Sequence, residues 1–132
     1  MHIKDFEGWG KLKSNIDKFD RTNTPTINER EIWWCSIGVN IGDEEDGKNH
    51  LYNRPVLILK KFNNRIFWGL PLTSSTKKKN NYFLVDFKGK QQSVMLSHLR
   101  LYDAKRLHGL SWGRLPEAQF KSIKKALSKL LE

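Results

Sequence analysis

Arg54-Pro55-Val56-Leu57-Ile58-Leu59-Lys60-Lys61-Phe62, then Asn63-Asn64, then Arg65-Ile66-Phe67-Trp68-Gly69-Leu70-Pro71-Leu72, read as two strands joined by a tight turn. Both runs are rich in β-branched and aromatic residues, which fit a pleated, half-buried surface. Asparagine tolerates the left-handed backbone of a tight turn, so antiparallel pairing of Pro55–Phe62 with Arg65–Leu72 is expected.

Outward from this hairpin the same pattern recurs at Ile32 to Val39, Tyr82 to Phe87 and Ser93 to Leu96, with Lys88-Gly89-Lys90 as a second turn. A further extended piece spans Leu107 to Trp112. Pro116 then opens a last helix, at the position where a missing N–H costs nothing, with Phe120, Ile123, Leu127, Leu130 and Leu131 on one side. At the other end, Phe6, Trp9, Leu12, Ile16 and Phe19 line one face of an amphipathic leading helix, followed by a polar connector around Pro25. These elements predict an α+β, mainly β fold: a small, strongly bent sheet or SH3-like barrel of five to six mostly antiparallel strands, with a C-terminal helix and an added N-terminal helix.

The chain has 132 residues, of which 38% are apolar and 11% aromatic, enough for one core. Its single cysteine, Cys35, cannot form an internal disulfide, and no run has the length and apolarity of a membrane span or signal core, so a cytoplasmic protein is expected. The formal charge of +10 is unevenly spread. Residues 1–46 carry 6 Lys/Arg and 10 Asp/Glu, whereas residues 47–132 carry 18 and 4. Such an excess on one compact body attracts polyanions, nucleic acid first among them.

Between two apolar strands lies a long polar loop, Gly38 to Asn53, with Gly42-Asp43-Glu44-Glu45-Asp46-Gly47 inside it. Loops of this length in a compact domain are usually functional or mobile. The acidic run lacks the ligand alternation and distal glutamate of a calcium loop, and His2, His50, His98 and His108 are scattered, so neither a metal site nor a cofactor is expected. Arg54 stands at the mouth of a strand beside that loop, where a planar guanidinium can hold two oxygens of one phosphate. At the end of the next strand, Thr73-Ser74-Ser75-Thr76 leads into Lys77-Lys78-Lys79; hydroxyls and lysines together suit a phosphodiester backbone, although such a run also makes an ordinary solvated turn. Trp33 and Trp34 point to opposite sides of one strand, so one of them belongs to the core.

Glu31-Ile32-Trp33-Trp34-Cys35, Arg54-Pro55-Val56-Leu57-Ile58-Leu59 and Leu70-Pro71-Leu72-Thr73-Ser74, in this order, resemble the PemK/MazF toxin family. So do Val94-Met95-Leu96-Ser97-His98-Leu99-Arg100, Asp103, Lys105-Arg106-Leu107 and Gly113-Arg114-Leu115 before a closing helix. The resemblance covers roughly residues 30–131, and the division it suggests is an N-terminal helical extension and connector over 1–28 and a toxin-like domain over 29–132.

The resemblance implies an endoribonuclease that cleaves single-stranded RNA without metal, by attack of the ribose 2′-hydroxyl on the adjacent phosphate. It places the catalytic arginine on Arg54 and the catalytic hydroxyl on Thr73, with Ser74 beside it. The loop glutamate falls on Glu44, with Glu45 competing, and Asn53 stands where some members have a histidine. The base that takes the 2′-proton is then Glu44, Glu45 or water, since arginine stays protonated. Ser74, Lys60, Lys61, Lys77, Lys78 and Lys79 are candidate RNA contacts, with Trp33 or Phe67 as a stacking surface for an unpaired base. A homodimer and an acidic antitoxin partner are further implications. The reading from a different class is a non-catalytic RNA-binding or protein-interaction module on the same small barrel.

Overall fold

The computed structural model describes residues 3–42, 44–75 and 81–132. Two helices and seven strands follow in the order α1 (Phe6–Asp17), β1 (Glu31–Ser36), β2 (Asn53–Lys61), β3 (Ile66–Thr73), β4 (Tyr82–Phe87), β5 (Lys90–Met95), β6 (Arg100–Asp103), β7 (Leu107–Arg114) and α2 (Glu117–Lys129). Among the described residues no helix is long and apolar enough to cross a membrane.

β2 is the centre of the molecule because Pro55 to Leu59 is buried without a break. A strand with no polar alternation must be covered on both faces. Val56 and Ile58 pack with Trp33, Cys35, Phe67, Tyr102 and Ile27 on one side, while Leu57 and Leu59 pack on the other with Ile32, Leu70, Leu72 and the α2 residues Phe120 and Ile123. The strand order is β4-β5-β3-β2-β1-β7, every pairing is antiparallel, and β6 also pairs with β3. β3 is divided: its first half, Ile66–Gly69, pairs with β6, and its end, Leu72–Thr73, pairs with β5. One strand serving two directions bends the sheet sharply. Register shifts between Ile58 and Lys60 in β2 and between Ile32 and Trp34 in β1 add to the curvature. The two ends of the sheet then meet through the edge-on rings of Phe87 and Trp112, 5.3 Å apart.

The mainly β architecture with a helix at each terminus is as expected, with one strand more. β6 was not foreseen because a four-residue strand with one buried side chain, Tyr102, carries no apolar pattern. Gly69, inside β3, shows how tight the packing is: a Cβ there would lie 2.5 Å from the Val56 methyl Cγ1. In α2 the buried face is Phe120 and Ile123, with Leu127 partly covered, whereas Leu130 and Leu131 are exposed because the helix ends at Lys129, past the sheet. In α1, Trp9 and Ile16 are buried and Leu12 partly so; Phe6 and Phe19, at the two ends of the predicted stripe, face solvent. Asp5 caps α1 by accepting a bond from the Gly8 N–H at 2.9 Å.

β7 is stitched to β1 by a buried polar pair. The Ser36 hydroxyl donates to the Leu51 carbonyl at 2.7 Å and contacts His108 Nε2. Its single proton being used, it accepts from His108, which therefore carries a hydrogen on Nε2. Burial holds the His108 imidazole below its ordinary value, so the unfolded chain binds this proton more readily. The stability linked to the neutral ring is present above the unfolded value and is lost as pH falls through the lower folded one. Thermal unfolding between about pH 7.5 and pH 5 should therefore show a steeper loss of Tm for the native chain than for His108→Gln; parallel profiles would contradict the assignment. Ile123→Ala, which empties a fully buried position under α2, should lower stability by about 2–5 kcal/mol in urea unfolding, while Lys121→Ala on the exposed face should change it by less than about 0.5 kcal/mol.

Candidate functional site

Arg54 opens β2 immediately after the loop that joins it to β1, and its Cα partner in β1 is Cys35. Two residues along β2, Val56 faces Pro71 in β3, while Thr73 at the end of β3 pairs with Ser93 of β5. The side chain is 11% exposed, and its guanidinium is held by the loop: Nη2 pairs with the Glu45 carboxylate and Nε donates to the Asp46 carbonyl at 2.6 Å. Two open clefts lie beside this loop, and Arg54 lines the second of them.

The first cleft, about 420 Å3, is bordered by Glu44, Glu45 and Asn40 of the loop, Pro71 of β3, and Ser97, His98 and Arg100 before and in β6. The second, about 360 Å3, contains Arg54 itself with Trp34, Ser74, Lys48, Lys90 and Trp112 on its walls. Its lining combines apolar Trp34, Pro55, Leu72 and Trp112 with cationic Lys48 and Lys90 and the amides of Asn49, Asn53 and Gln92. That combination suits a ligand with a flat face and a negative edge.

Thr73 ends β3 half-buried, with its hydroxyl accepting a bond from the Ser75 N–H at 3.2 Å. Opposite it, buried Ser93 donates to the Ser75 carbonyl at 3.0 Å, so the turn that presents Thr73 is held from both sides. Exposed Ser74 lines the same cleft as Arg54 and Trp34, whereas Thr73 lines neither of the two clefts. Of the two loop glutamates, Glu45 touches Arg54, whereas the Glu44 carboxylate accepts from the Ile41 N–H at 3.0 Å and borders the first cleft. Asn53 is buried, accepting a bond from the Asn49 amide at 2.9 Å.

Lys60 and Lys61 lie at the far end of β2, roughly 20 Å from Arg54 at about 3.3 Å per residue, and the fold does not bring them to these clefts. Lys48 and Lys90 occupy the position expected of them. Lys77, Lys78 and Lys79 lie outside the described residues. Trp33 is corrected: it is 3% exposed, packed with Val56 and Ile58, and its indole N–H donates to Glu31 at 3.2 Å, so it has no free face for a base. Phe67 is equally buried. The indoles that line the second cleft are Trp34 and Trp112, with ring centroids 5.3 Å apart, while exposed Trp68 lies elsewhere, near the other end of β3 against Phe62. Parity was the readable signal for Trp34, since it shares a strand face with Ile32 but lies nearer the open end; nothing local marked Trp112, which arrives from β7.

Among the described residues no group of three or more His, Cys, Asp or Glu side chains comes together to hold a metal ion. Cys35 is fully buried, and burial pushes its thiol up to about 12, so it is neither ligand nor nucleophile at neutral pH.

Residues 28–131 match the model of the PemK-like, MazF-like toxins of type II toxin-antitoxin systems. No curated protein matches the chain significantly. Among solved structures, MazF from Deinococcus radiodurans superposes with a TM-score of 0.66 at 21% identity, covering 81% of this chain and 97% of that one. The Mycobacterium tuberculosis toxin MazF-mt6 gives 0.58 at 17% identity, with 77% and 96% covered. An endoribonuclease from a mycobacterial species, solved in complex with its cognate antitoxin, gives 0.59 at 16% identity, with 81% and 94% covered. These structures share the fold, and the family model spans most of the sequence: the chain belongs to the PemK-like, MazF-like toxins of type II toxin-antitoxin systems.

Proposed function

We propose that this toxin is a metal-independent endoribonuclease that cuts single-stranded RNA, including mRNA in the cytoplasm, at the Arg54 site. The observation that carries the reading is the position of Arg54: a permanently charged guanidinium held by the loop beside the Glu45 carboxylate, in an open cleft that it shares with Ser74, Trp34, Lys48 and Lys90. The comparisons support the reading through the mycobacterial relative described as an endoribonuclease.

In this mechanism the 2′-oxygen attacks the neighbouring phosphorus and gives up its proton as the P–O5′ bond breaks. The 5′-oxygen gains a proton and leaves as a hydroxyl, while the other product carries a 2′,3′-cyclic phosphate. Arg54 binds the nonbridging oxygens and stabilises the charge that builds on them. Thr73, with Ser74 as its neighbour, fixes the phosphate through its hydroxyl and the nearby amides. Glu44, Glu45 or water takes the 2′-proton; of the two carboxylates, Glu45 is already at the guanidinium. Bases of the bound strand stack on Trp34 and Trp112, with Lys48 and Lys90 on the phosphates. Residues 29–132 form the toxin domain, two copies of which associate, and an acidic antitoxin competes for the basic clefts.

Arg54→Ala should lower kcat/KM by about 10²–10³-fold or more, with the fold intact, on a long RNA in excess EDTA, and the native chain's products should end in cyclic phosphate. Full activity in the variant would remove Arg54 from the mechanism; RNA bound but uncut by the native chain would leave only a binding module. Trp34→Ala should weaken binding of a short RNA by about 1–3 kcal/mol. Trp33→Phe should leave binding within about twofold and act on stability instead.

A further inference from the structure

The loop that holds Arg54 is itself held from outside the family domain. The family match begins at residue 28, yet Lys4, in the extension before it, reaches across to residues 40–46. Its ammonium meets three acceptors: the Asn40 carbonyl at 2.6 Å, the Gly42 carbonyl at 3.0 Å and the Asp46 carboxylate at 3.2 Å. An ammonium has three N–H donors, so this one is fully engaged, and it is 19% exposed against 78% for Lys11 on the same segment. It organises the loop as a bound cation would.

From there the connections run directly to the candidate catalytic group. Asp46 also accepts from the Asn40 N–H at 2.7 Å, and the Asn40 amide donates to the Glu45 carbonyl at 2.7 Å. Glu45 and the Asp46 carbonyl are the two groups that hold Arg54. The loop's return is fastened to the same extension. The Tyr52 hydroxyl donates to the Asp5 carboxylate at 2.5 Å, and the Trp9 indole lies flush against Gly38, where a Cβ would come within 2.2 Å of the ring. Trp9, Ile16 and Val39 form a small core of their own that joins α1 to the loop.

We infer that the N-terminal extension, through Lys4 and with Asp5 and Trp9, is a positioning strap that sets the 37–52 loop and thereby aims the Arg54 guanidinium. Lys4 touches no reacting atom in this account; it acts through Asn40, Glu45 and Asp46. Its catalytic consequence rests on the ribonuclease reading above, but its effect on the loop does not.

The test uses the full chain with Lys4→Met, which keeps length and removes charge, and Tyr52→Phe as an independent release of the other anchor. Hydrogen exchange of the amides of residues 40–47 should quicken at least tenfold in either variant, while α2 amides are unchanged. In the RNA cleavage assay kcat should fall about tenfold with KM within about twofold, since the phosphate-binding surface remains. Lys11→Ala should behave as the native chain. Lys4→Cys treated with bromoethylamine, which rebuilds an ammonium of nearly the same reach while buried Cys35 is spared, should restore both readouts. Unchanged loop exchange in Lys4→Met and Tyr52→Phe overturns the strap. Faster exchange with unchanged kcat overturns its role in aiming Arg54. A native chain that fails to cut RNA defeats the ribonuclease reading instead, and the strap then stands or falls on exchange alone.

Discussion

Everything in this molecule is arranged around the need to bury both faces of β2. Five consecutive apolar residues, Pro55 to Leu59, cannot be half-solvated, and two cores form because of them, one under α2 and one under β6 and the segment around Ile27. A short chain achieves two-sided cover only by bending its sheet, which is why β3 splits its pairing and why the two sheet ends meet at Phe87 and Trp112. The bend leaves an opening at the N-terminal end of β2. Arg54 is the partly exposed side chain at this end of the strand, and it stands on an element paired on both sides, with β1 and β3. A phosphate-binding group gains most from such a mount, because little positional freedom is left to lose on binding.

The hairpin and the terminal helices were legible because they depend on local pattern: apolar runs of strand length, Asn63-Asn64 between them, and Pro116 at a helix entrance. Arg54 and Thr73 come from the family resemblance; what the hairpin pattern itself supplies is that the start of β2 and the end of β3 lie at the same end of the sheet. What pattern could not supply was the content of the clefts. Lys60 and Lys61 sit next to the right strand in sequence but at its wrong end in space, while Lys48 and Lys90 arrive from a loop and from a distant hairpin. The choice between Trp33 and Trp34 depended on which face of β1 the core would take, and that is decided by Tyr102 and Phe67, contributed by β6 and β3. β6 itself has too few apolar residues to announce a strand.

The two halves of the site differ in how they are held. Thr73 is fixed by the sheet, through Ser75 and Ser93. The Glu45 and Asp46 contacts to Arg54 come from a loop that is bonded in turn to Lys4, just before α1. A loop spanning residues 37–52 carries a large conformational entropy when free, and the ammonium of Lys4 and the Trp9 packing offset it. On the proposed reading, the extension is part of how Arg54 is presented.

The chemistry assigned to Arg54 requires the substrate's own 2′-hydroxyl as nucleophile, and that requirement is open to direct test. Once a cut has been mapped in an RNA oligonucleotide, the same oligonucleotide with a single 2′-deoxy nucleotide on the 5′ side of the cut would be incubated with the native chain in excess EDTA. The account predicts that it binds with nearly unchanged affinity and is not cleaved at that position. Cleavage of the deoxy-substituted strand at the mapped bond would contradict it, since some other nucleophile would then be reaching the phosphate held by Arg54.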